Sequence, residues 1–114
     1  MTLDHFREYC LSFKGTTEDL PFDENTLVFK VSARMFALTN LENFEYCNLK
    51  CNPEKALELK EKFMEVTPAW EMNKKHWNSV IFTGDLIGKK IEDWITDSYN
   101  LVVEKIPKKL KTQL

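Results

Sequence analysis

Two lysines, a histidine and a tryptophan stand side by side in one stretch of this 114-residue chain, Asn73-Lys74-Lys75-His76-Trp77-Asn78. Lysine ammonium groups meet phosphate oxygens, and a neighbouring ring offers a surface for packing or stacking, so the run has the make-up of a phosphate-contacting edge. Arg34 and Lys50, on neighbouring predicted strands, add charge to it. The candidate contact set is Arg34, Lys50, Lys74 and Lys75, with His76 near the same edge. Strand alternation gives the run a second job: it turns Trp77 inward to the core and leaves the lysines solvated at the strand entrance.

Other chemistries are poorly provided for. Zinc asks for four ligands, commonly as two close pairs, whereas the chain offers one pair, Cys47 and Cys51, with Cys10, His5 and His76 elsewhere. On a strand, Cys47 and Cys51 would face the same way about 13 Å apart, too far to share an ion, at roughly 3.3 Å per residue. The expectation is no metal and no cofactor, with the thiols packed as small apolar groups. No Gly-x-Ser-x-Gly elbow or similar nucleophile motif accompanies His5 or His76, and a lone histidine beside aromatics reads as a hydrogen-bonded structural group. Three scattered glycines cannot build a phosphate-cradling loop. A non-enzymatic protein is expected, with no catalytic residues.

The charge balance confines any polyanion contact to a local surface. Sixteen basic and 18 acidic side chains leave a net charge of −2, so the molecule as a whole has no pull on phosphate backbones. Glu18, Asp19, Asp23 and Glu24 form an acidic loop, while Lys105, Lys108, Lys109 and Lys111 make a basic tail whose charge complements the end of a preceding helix. Length and a 43% hydrophobic content predict one domain spanning 1–114. An odd number of cysteines, an N-terminus without a signal-peptide pattern and no long apolar run predict a cytoplasmic protein that does not meet the membrane.

Hydrophobic spacing supplies the elements that must position these residues. Leu3, Phe6, Cys10 and Phe13 recur at helical steps, predicting a helix over 2–13, capped by Thr2 or Asp4 and ended by Gly15. The stretch KGTTEDLPFDEN reads as a loop. The period then falls to two in TLVFKV, RMFALT and FEYCNLKC, three antiparallel strands in a meander. Asn52 caps and Pro53 opens a helix through PEKALELKEKF. A short extended piece near 69–72 and a strand near 76–82 follow, with Gly84 and Asp85 as turn and cap. Ile91, Ile95, Ser98, Val102 and Ile106, with Trp94 and Leu101 alongside, predict a helix over 87–105 ended by Pro107. The fold class is α+β, a two-layer sandwich of a mainly antiparallel sheet with helices on one face, in the order α-β-β-β-α-(β)-β-α.

At NKKHW, followed about twenty residues on by SYNLVVEKIPKKL, the chain resembles the MmcQ/YjbR family of small bacterial proteins. The likeness also runs through Pro21 and Phe22, Phe29 and Val31, Arg34 to Ala37, Lys50, Pro68 and Ala69, Ser98 and Tyr99, and Pro107 with Lys108. The resemblance implies a two-layer domain related to the CyaY-like fold and weak, sequence-independent DNA binding through β-structure. Two positions depart from the pattern: Ala33-Arg34 stands where family members tend to have Gly-Lys, and Phe22 where a Trp is usual. Arg34 keeps the positive charge. On this resemblance Arg34, Lys50, Lys74, Lys75 and His76 become the expected DNA contacts. The competing expectation is a module for a protein or a small acidic ligand, with a pocket near His76 lined by Trp70, Trp77 or Phe22.

Overall fold

The computed structural model describes residues 1–82 and 88–114. In chain order the elements are α1 (Leu3–Leu11), β1 (Thr16–Asp19), β2 (Thr26–Val31), β3 (Arg34–Asn40), β4 (Tyr46–Lys50), α2 (Pro53–Lys62), β5 (Val66–Pro68), β6 (Trp77–Ile81), α3 (Gly88–Glu104) and α4 (Lys108–Lys111). The strands form one antiparallel sheet in the order β1-β2-β3-β4-β6-β5. The α+β class and the antiparallel sheet are as the sequence predicts. Gly84 and Asp85 lie outside the described residues.

Three elements differ from the expectation. β1 lies within the stretch read as a loop, because TTED has no apolar alternation and pairs with β2 chiefly through its backbone, with one ion pair from Asp19 to Lys30 at 3.6 Å. It is an edge strand of half-exposed polar residues, a composition that discourages further pairing. The extended piece placed near 69–72 is instead Val66–Pro68, with Pro68 tolerated because β5 is the other edge of the sheet. Ala69 to Met72 turn back, the Met72 N–H donating to the Ala69 carbonyl at 3.0 Å. Finally, the tail after Pro107 forms the short α4.

Local chemistry explains the helix starts. Thr2 caps α1 by accepting from the His5 N–H at 3.1 Å, and Asn52 caps α2 by accepting from the N–H groups of Glu54 and Lys55, with Pro53 in the first turn. Gly15 turns the chain from α1 into β1 at φ +75°, a left-handed conformation that favours glycine.

All three longer helices cover one face of the sheet: α3 crosses β2, β3 and β4, α1 packs beside β1, and α2 beside β5. Phe6, Phe29, Phe36, Ile91 and Ile95 are fully buried in the core between the layers. Their burial is the main favourable term, at roughly 25 cal/mol per Å² of apolar surface. Two side-chain contacts tie α1 to α3, His5 to Glu92 at 2.5 Å and Tyr9 to Thr96 at 2.7 Å. Arg7 pairs with Glu18, holding β1 to α1.

On β6, Asn78 and Val80 face the helices, so alternation puts Trp77 and Ser79 on the other face. There the chain after β5 folds back, and Asn48 donates its amide to Met72 Sδ at 3.6 Å. Trp77 is buried as expected, but it lies outside the main core cluster.

Candidate functional site

Antiparallel pairing decides which basic residues meet. Lys50, the last residue of β4, stands opposite Trp77, the first of β6, while Arg34 opens β3, which runs against β4. The start of β3, the end of β4 and the start of β6 therefore share one end of the sheet. His76 extends that pairing by one residue, its carbonyl accepting from the Cys51 N–H at 2.7 Å. Asn73 ties the lysines into a turn: its side chain accepts from the Lys75 N–H at 3.0 Å, and its carbonyl accepts from the His76 N–H at 3.1 Å. All five expected contact residues consequently gather at the same end.

Their side chains are left for solvent or a partner. Arg34, Lys74 and Lys75 are exposed, Lys50 and His76 half-buried. Among the described residues, Arg34, Lys50, Lys74 and Lys75 have no carboxylate within 4 Å, whereas Arg7, Lys30, Lys55, Lys62 and Lys89 each have one. Lys74 rests its ammonium 4.8 Å from the ring centre of Trp70, a cation–π contact that keeps the charge at the surface. Arg34 reaches back to the Ser32 carbonyl at 3.3 Å. Ser98 of α3 accepts from the Lys50 N–H at 2.9 Å and donates to the Phe36 carbonyl at 2.5 Å, so one buried hydroxyl holds β3 and β4 under the helix at this end.

A cleft of about 410 Å³ opens between α2 and α3 beside the same end. Leu49, Val66, Val80, Leu59 and Trp94 make an apolar floor and walls. Lys55 stands on its α2 side and Asp97 and Glu104 on its α3 side, while Lys50 lines it from the end of β4 with its side chain turned by strand alternation to the Trp77 face. Asn78 also lines it: the amide donates to the Ala56 carbonyl at 3.3 Å, while its buried Oδ1 has no partner among the described residues. Cys51 sits half-buried at the rim. Burial and, less strongly, Asp97 push its thiol up, with Lys55 opposing, so it is protonated at neutral pH and a poor nucleophile.

The lining of this cleft includes neither His76 nor the expected Trp70, Trp77 and Phe22. Phe22 and Trp70 are 64% and 71% exposed, and Trp77 lies on the opposite face. Trp70 belongs to a separate groove of about 350 Å³ with Tyr46, Pro68, Ile81 and Glu71. Sequence reasoning missed Lys55, Asp97 and Glu104. One signal was present: Trp94, Asp97, Leu101 and Glu104 recur at steps of three, four and three, a second helical stripe beside the core stripe of α3.

An antiparallel sheet with helices on one face defines a small two-layer α+β domain, and relatives place it more closely. The YjbR family model matches residues 11–101, and the chain belongs to the YjbR family. It is 36% identical over 90 residues to YbdF of Escherichia coli O157:H7, covering 78% of this chain and 74% of that protein. It is 30% identical to YjbR of Escherichia coli K12 across the whole of both chains. Both relatives are themselves uncharacterised proteins. Among solved structures, a Deinococcus radiodurans protein with a DUF419 domain superposes with a TM-score of 0.91 at 33% identity, over 98% of this chain and 86% of that one. A Pseudomonas syringae protein gives 0.72 at 28% identity, over 89% and 98%.

Proposed function

We propose that this YjbR-family chain is a non-enzymatic cytoplasmic domain that binds DNA weakly through the phosphate backbone. The observation that carries the reading is the gathering of Arg34, Lys50, Lys74, Lys75 and His76 at one end of the sheet, the four cations without carboxylate partners among the described residues. Three free cysteines support a reducing location. The three longer helices pack on the sheet, so contact falls to strand ends and the Asn73 turn, which read charge and not base sequence. Anisotropy titration of labelled duplex and single-stranded DNA at low salt tests it. Binding should weaken alike for unrelated sequences when Lys74 and Lys75 become alanine; absence of binding to both forms removes the reading.

The cleft favours a second reading, a module for a small ligand. Its volume of about 410 Å³ lies within the range of roughly 300–1,000 Å³ common for such sites, and its apolar floor carries few polar groups. Thermal stabilisation by small acids would support this reading, and none by any acid or nucleotide would count against it.

A further inference from the structure

We propose that the cleft between α2 and α3 takes a small amphoteric molecule: an apolar body bearing both a carboxylate and an ammonium group, as in a free α-amino acid with a bulky apolar side chain. The proposal rests on the small-ligand reading and adds the chemistry of the ligand.

Charge complementarity across the cleft carries it. Lys55 lines the α2 side, and Asp97 and Glu104 line the α3 side. Opposite charges free to meet would pair, yet among the described residues neither carboxylate has a cation within 4 Å, and Lys55 reaches only Glu58 at 3.9 Å along its own helix. The backbone keeps the two sides apart. Asn52 caps the start of α2 and so sets where Lys55 emerges, while Asp97 and Glu104 project from α3 across the cleft.

Three simpler ligands fit less well. An anion meets Lys55 but is repelled by two carboxylates, a cation meets the reverse, and an uncharged apolar molecule leaves both charged sides to be desolvated without compensation. A molecule with both charges satisfies both sides at once. Its carboxylate faces Lys55, its ammonium faces Asp97 and Glu104, and its side chain lies on the floor near Trp94 and Leu59. The two lips are partly open to water, so each charge contact contributes modestly and the apolar floor supplies much of the affinity.

The test uses L-leucine, N-acetyl-L-leucine and L-leucinamide as probes of the full chain, read by two-dimensional amide NMR with the Trp94 indole N–H as reporter. L-leucine should shift Trp94 and Leu101 and bind about three- to tenfold more tightly than either derivative, each of which lacks one charge. Asp97→Asn with Glu104→Gln should weaken L-leucine by a similar factor and erase its advantage over N-acetyl-L-leucine, with the spectrum otherwise unchanged. Equal binding of L-leucine and either derivative overturns the amphoteric assignment and leaves the small-ligand reading standing. Absence of any Trp94 shift with all three probes at about 10 mM, a concentration that detects millimolar affinity, overturns both.

Discussion

Ser98 lies on α3 with its hydroxyl between two strands, accepting from the Lys50 N–H and donating to the Phe36 carbonyl. Replacing it with alanine strands two backbone groups in a site from which water is excluded. Ser98→Ala should cost about 2 kcal/mol, measured as a lower urea midpoint with an unchanged slope. The buried thiols give a second expectation at this scale. Burial pushes Cys10 and Cys47 well up, with smaller contributions from Glu18 at Cys10 and from Cys10 at Cys47. A thiol raised in the folded state stabilises the fold below its unfolded value and loses that contribution as pH rises beyond it. Stability should therefore fall as pH climbs past about 8.5, where the unfolded thiols ionise first. Urea titrations at stepped alkaline pH check this, and a Cys10→Ala variant should flatten the decline. Iodoacetamide should modify the half-buried Cys51 before the other two.

Among the elements, the β2–β3 hairpin carries visible strain. Ser32 and Ala33 both take positive φ, 49° and 64°, the geometry of a two-residue turn that favours Asn-Gly. The alanine Cβ is disfavoured there by roughly 1 kcal/mol. Ala33→Gly should stabilise the protein by about 0.5–1 kcal/mol, seen as a higher melting temperature, because glycine reaches this region without a clash. The same turn presents Arg34, so the substitution also restores the Gly-x pattern expected of the family without touching the charge. Helix α3 shows how one element serves two tasks. Its core stripe of Ile91, Ile95, Ser98 and Val102 faces the sheet, and the adjacent stripe from Trp94 to Glu104 forms one side of the cleft.

For the whole molecule, a net charge of −2 means that DNA contact depends on where charge lies. Acidic residues near the basic end oppose a polyanion beyond the immediate contact, so affinity should be low and strongly salt-dependent. Each lysine that meets a duplex phosphate contributes about 0.9 to the slope of log K against log salt. The Lys74→Ala, Lys75→Ala double variant should reduce that slope by about 1.8, a readout that a purely structural role would leave unmoved. No described helix is long and apolar enough to cross a membrane.

The sequence by itself determined what depends on neighbours within a few residues. Helical spacing from Leu3 to Phe13 and from Ile91 to Ile106, the Asn52-Pro53 start of α2, and alternation through β2, β3 and β4 all specify local geometry, and the structure follows them. β1 stayed hidden because pairing held by backbone groups leaves little trace in side-chain pattern. NKKHW was visible as a charged run, with Trp77 destined for burial and the lysines for solvent. The sequence already grouped Arg34 and Lys50 with it as residues of neighbouring strands, but the register that brings them to the same end of the sheet is a property of pairs distant in sequence, which the tertiary structure supplies. The cleft was decided in the same way: its lysine comes from the start of α2, its carboxylates from α3. Their opposition comes from helix packing, which no local spacing can encode.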